Sequence, residues 1–152
     1  MLYHGRGGDV AGFVHDLGLI AVLGFVAGWH VGRLRGRGDA GALVGVVCGV
    51  VAGSVASRSG ATNLIVAALT LVIAAAESIA RRRRLPTVLT GPLLALAGLA
   101  LIAWLAGTPG SPLCDAASWL QPHGAWHVMS ALLLLAWVER AQRAAAVEGL
   151  HP

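Results

Sequence analysis

The chain has 152 residues, of which 57% are hydrophobic and 12% charged. So few charges exclude an ordinary soluble domain, and the length suits one membrane domain rather than two. The formal charge of +4 is set by eleven arginines, with no lysine, against seven carboxylates. Most of them flank apolar segments, which excludes a nucleic-acid partner and points to a lipid bilayer.

The first nine residues carry no charged region followed by a short apolar run and cleavage site, so no signal peptide is expected. Five apolar segments then follow at 10–31, 40–57, 61–80, 87–106 and 119–139. A helix needs about 20 residues to cross a hydrocarbon core of roughly 30 Å. Open sheet edges are not tolerated in lipid, so all five are read as helices of a single all-α, polytopic transmembrane bundle. Nine arginines (33, 35, 37, 81, 82, 83, 84, 140 and 143) lie on one side of the alternating segments, and only Arg6 and Arg58 on the other. That asymmetry predicts an outer N-terminus, a cytoplasmic C-terminus and a multi-pass protein of the cell membrane.

Within the first helix, His30 sits between Trp29 and Arg33 and is expected to snorkel at the inner interface. The second helix carries Gly41, Gly45, Gly49 and Gly53, with Ser57 one step on. A small residue every fourth position predicts close approach of a neighbouring helix; a lipid or substrate groove is the alternative. Glu77 stands four residues before Arg81 and is expected to pair with it. Cys48 and Cys114 should lie at different depths, without a disulfide. The polar tail from Glu139 to Pro152, with His151, is expected to fray.

The chemistry concentrates before and within the last helix. Ser118 and Gln121 have the spacing of a capping box, which starts the helix near Trp119 with Pro122 in its first turn. His123 and His127 then share a face, their Cβ atoms roughly 5–6 Å apart. Two imidazoles at that spacing can share one metal ion, and the positive end of the helix dipole favours the neutral rings that ligate. His4 and Asp16 are expected at the same membrane face, Asp16 about 9 Å along its helix from Val10 at 1.5 Å per residue. A carboxylate inside a membrane helix costs about 2.5–3.5 kcal/mol on insertion scales, so Asp16 needs a partner such as a metal site. The alternative is an interfacial cap or a pair with Arg6. Three histidines would leave zinc the open position that hydrolysis requires. The HxxxH pattern has Gly124 where metalloprotease helices have a glutamate, so a base must come from elsewhere, and Asp16 is the carboxylate placed for it. His15 is read as a supporting or packing residue, and Asp115 as a loop or cap residue.

The pattern Cys114-Asp115, Ser118, Gln121, His123, Trp126-His127 resembles the signature of the alkaline ceramidase branch of the CREST membrane hydrolases, which include the progestin and adipoQ receptors and the hemolysin III proteins. Leu2-Tyr3-His4 and Val14-His15-Asp16-Leu17-Gly18 resemble its second and third helices. The resemblance covers the two ends of the chain, while the middle matches in hydropathy alone. It implies a zinc held by His4, His123 and His127, with Asp16 assisting the attacking water in hydrolysis of a sphingolipid amide. It also implies a seven-helix fold, of which the first helix and most of the second would be missing here, together with a serine four positions before His4. A start codon placed too late is the expected reason. A non-catalytic, receptor-like or shortened relative is the other reading.

Overall fold

A computed structural model describes residues 9–108, 111, 113 and 121–149. Among them are five α-helices and no strand: α1 Asp9–Arg33, α2 Gly38–Ser59, α3 Thr62–Arg82, α4 Gly91–Ala106 and α5 Pro122–Glu148. The all-helical expectation therefore holds. α1, α2 and α3 are long and apolar enough to cross a membrane, which points to a membrane protein. α4 has 16 residues, about 24 Å at 1.5 Å per residue. α5 has 27, but its early histidines and charged second half leave it outside the apolar set.

Two helix starts and one helix end differ from expectation, each for a local reason. α4 begins at Gly91 rather than at 87, which puts Pro92 in the first turn. A start at 87 would have driven the proline ring against the carbonyl of Val88, four residues back. α5 begins at Pro122 with Gln121 outside the helix, and the Ala125 N–H donates to the Gln121 carbonyl at 3.1 Å. Proline is favoured at the first helical position because its missing N–H would have had no partner there. Ser118, the other half of the expected capping box, lies outside the described residues, as does Cys114. The tail does not fray at Glu139. It continues as helix to Glu148 through an Ala- and Arg-rich stretch of high helix propensity.

The described residues divide between two compact units, one formed by those within 1–86 and 147–149 and the other by those within 87–146. In the first unit α1 is central. Gly24, Gly28 and Gly32 of α1 lie against Gly41, Gly45 and Gly49 of α2, backbone to backbone. A Cβ on Gly45 would stand 2.1 Å from the Gly24 carbonyl oxygen, and one on Gly28 would stand 2.2 Å from that of Gly41. The α2 stripe is thus a packing surface, and its partner is a matching stripe on α1. Such seams replace the hydrophobic drive that lipid does not supply with close van der Waals contact. The large side chains of α2 and α3 that face away, among them Leu43, Val47, Val51, Leu64 and Leu71, are exposed, as lipid-facing residues are.

α2 ends at Gly60, whose φ of +71° admits the left-handed cap that a side chain would strain. α3 then runs parallel to α1. Asp16 meets Thr62 near one end, and His30 meets Glu77 near the other. The two contacts are separated by 14 residues on α1 and 15 on α3, about 21–23 Å of helix.

The second of these contacts is a buried ionic cluster. Arg33 donates from Nε to Glu148 Oε1 at 2.8 Å and from Nη2 to the same carboxylate and to the Pro86 carbonyl. Its Nη1 lies 3.7 Å from Glu77 Oε2, and its guanidinium carbon lies 5.4 Å from the centre of the Trp29 ring. Glu77 also approaches Arg81 at 3.7 Å, the expected i,i+4 pair. His30 is 1% exposed, with Nδ1 3.5 Å from Glu77 Oε2. His30 therefore does not snorkel: it faces α3 inside the unit, because the Glu77 carboxylate gives it a polar partner there.

Candidate metal centre

The second unit holds the histidine pair. His123 and His127 fall in the first two turns of α5, four residues apart, so their side chains lie one above the other. Their Nε2 atoms are 3.2 Å apart, with ring centroids at 4.8 Å and planes at 78°. Trp126 flanks both rings, 5.1 Å from His123 and 4.5 Å from His127. Gly107, at the end of α4, sets the approach of the chain to this turn. A Cβ there would stand 2.5 Å from the His123 backbone nitrogen, so any larger residue displaces the base of the first ligand.

Without a metal, that separation fits one neutral ring donating its Nε2–H to the lone pair of the other. It equally fits two ligands of one ion. Zn–N bonds of 2.0–2.1 Å at tetrahedral angles place two nitrogens about 3.3 Å apart. The pair thus satisfies the distance requirement for two of zinc's four positions before any ion is bound.

Asp16 belongs to the first unit. It lies in α1, and its side chain is 23% exposed. Oδ2 accepts a hydrogen bond from Thr62 Oγ1 at 2.7 Å, and Oδ1 lies 3.2 Å from His15 Nδ1. His15 therefore touches the carboxylate directly, as a supporting residue would. Thr62 is the functional neighbour that the sequence reading did not single out. Its signal was its place at the start of the third apolar segment, on the membrane face assigned to Asp16. Two partners hold the carboxylate's orientation. They also answer in part why a carboxylate stands in an apolar helix, since a hydrogen-bonded charge is less costly than a bare one. Replacing Thr62 with valine removes the donor at nearly constant volume. The expected loss is about 1–2 kcal/mol, discounted for the exposed part of the carboxylate. Urea or thermal unfolding in detergent would read it, and an unchanged midpoint would mean that water replaces the hydroxyl at no cost.

His4, the third expected zinc ligand, lies outside the described residues, as do Arg6 and Asp115. Within the second unit the structure brings together His123 with His127, and within the first unit Asp16 with His15 and Thr62. No family model, curated protein or solved structure matches the chain.

Proposed function

We propose that the chain is a zinc-dependent hydrolase of a membrane lipid amide of the ceramide kind. In this reading it is a multi-pass protein of the cell membrane, with five spanning helices and its site toward the outer face. The observation that carries the reading is the 3.2 Å separation of the His123 and His127 Nε2 atoms, the spacing of two tetrahedral ligands. The third nitrogen would come from His4, as the ceramidase resemblance implies.

Zinc held there would supply a Lewis acid that polarises the amide carbonyl and lowers the pKa of a water. His123 and His127 would present their Nε2 lone pairs, with the ring protons on Nδ1. Asp16 would take the proton of the attacking water and pass it to the leaving amine. Thr62 and His15 would keep the carboxylate turned for that transfer. Trp126 would hold both imidazoles in their rotamers.

A second reading rests on the Asp16–Thr62 hydrogen bond. In it the carboxylate clasps α1 to α3, and the chain is a non-catalytic, receptor-like membrane protein. Metal analysis and turnover on purified protein separate the two. The hydrolase reading expects one zinc per chain, lost in a His123→Ala His127→Ala variant. It also expects release of fatty acid from a ceramide, slowed about 100-fold or more in Asp16→Asn with zinc retained. Zinc without turnover of any lipid amide favours the second reading, and protein that binds no zinc sinks the first.

A further inference from the structure

A second lipid-directed feature lies in the first unit, at the end of the helices where α1 turns into α2. A cleft of about 480 Å³ opens between α2 and α3. Its floor is the glycine seam, including the backbone of Gly28 and Gly45, and its walls include Val44 and Cys48 of α2 and Leu69 and Val72 of α3. From Ala40 to Ala52, both of which line it, the cleft follows α2 for about 18 Å at 1.5 Å per residue. That is close to the depth of one leaflet, half of a hydrocarbon core of roughly 30 Å.

The cleft is closed to charge along its length and open to it at one end. Arg35 and Arg37 line that mouth, and both are exposed. Neither forms an ion pair with the neighbouring Asp39 or with any other carboxylate among the described residues. Arg33, by contrast, is committed to Glu148 and Glu77 inside the unit. The mouth is also the N-terminus of α2, where Arg37 stands at the N-cap without a side-chain cap hydrogen bond. A helix start of this kind favours an anion. Basic pockets between spanning helices, with apolar walls below, suit a phospholipid whose head group is negative.

We propose that this cleft binds an anionic phospholipid, with one acyl chain along the glycine floor and the phosphate between Arg35 and Arg37. In a bilayer the acyl chain gains little by leaving other chains, because lipid tails are as apolar as the cleft walls. Selectivity therefore resides in the head group. A phosphatidylglycerol satisfies the two arginines, whereas the choline ammonium of a zwitterionic lipid brings a cation toward them. The site is independent of the histidine pair and of the hydrolase reading.

The test is native mass spectrometry of the full chain released from nanodiscs of equal parts phosphatidylglycerol and phosphatidylcholine. The wild type is expected to retain phosphatidylglycerol over phosphatidylcholine by roughly 10–30-fold, from two arginines near a membrane surface. Arg35→Gln Arg37→Gln should reduce that preference to near unity. Val44→Trp, which fills the cleft from an exposed position, should abolish the adduct altogether. Arg81→Gln Arg82→Gln removes two charges from the end of α3 and should leave the preference within about twofold. A preference that falls equally in both arginine pairs would mean a diffuse basic surface and would overturn the site. So would a dimer that survives Arg35→Gln Arg37→Gln and disappears in Val44→Trp, because the occupant would then be a second copy of the chain.

Discussion

Replacing Gly45 with alanine is expected to unseat α1 from α2 and produce a large loss of stability for a single added methyl group. The new Cβ would stand 2.1 Å from the Gly24 carbonyl oxygen and 2.9 Å from the Gly28 Cα. Both neighbours are backbone, so neither can swing aside as a long side chain would. The helices must move apart, and every contact along the seam from Gly24 to Gly49 loosens with them. Overpacking of well-packed interiors costs about 1–3 kcal/mol, occasionally more; a clash with backbone belongs at the upper end, about 3 kcal/mol. For a chain of this length that is a fall of roughly 6–12 °C in Tm. Gly18→Ala is the matched control, because a Cβ there meets nothing within 4 Å. It should leave Tm within a few degrees of the wild type, or raise it slightly through helix propensity. Equal midpoints for the two variants would show that the seam is not a rigid contact.

An effect at least as large is expected at Arg33. Its guanidinium is buried and holds Glu148, Glu77 and the Pro86 carbonyl at once. Arg33→Met keeps the length of the side chain and deletes the charge, leaving two carboxylates to face a buried apolar surface. Breaking a buried pair from one side costs about 3–5 kcal/mol. Arg33→Met Glu148→Gln should recover a good part of that, because the amide needs no counter-charge. The coupling is read from the four unfolding free energies of the cycle. Strict additivity would mean that Arg33 and Glu148 do not sense each other, contrary to their contact.

How far the sequence could be read differs from element to element. The α2 glycine stripe was legible because four positions at helical spacing admit few other uses. Its partner on α1 was equally present, at Gly24, Gly28 and Gly32, but small residues in an apolar run do not announce which neighbour they meet. The histidine pair was legible for the same reason as the stripe: a four-residue interval fixes a shared face once the segment is helical. The Asp16–Thr62 hydrogen bond was not, since it joins residues 46 apart and depends on α1 and α3 running side by side. His30 misled because an imidazole beside a tryptophan and an arginine matches an interfacial residue, and only the position of Glu77 on a different helix reverses that. The helix starts were set by Pro92 and Pro122, whose rings the hydropathy of the flanking residues obscured. The tail was misjudged because composition marks it as polar, whereas one carboxylate at residue 148 gives it a fixed place.

That carboxylate has a consequence for biogenesis. Arg33 is synthesised 115 residues before Glu148, which at about 5–20 residues per second is roughly 6–23 s of translation. Throughout that interval the nascent α1 carries a cation whose strongest counter-ion has not been made, and Glu77 arrives first as a weaker interim neighbour. The buried ionic cluster around Arg33 therefore closes only after α5 is made and its carboxylate docks.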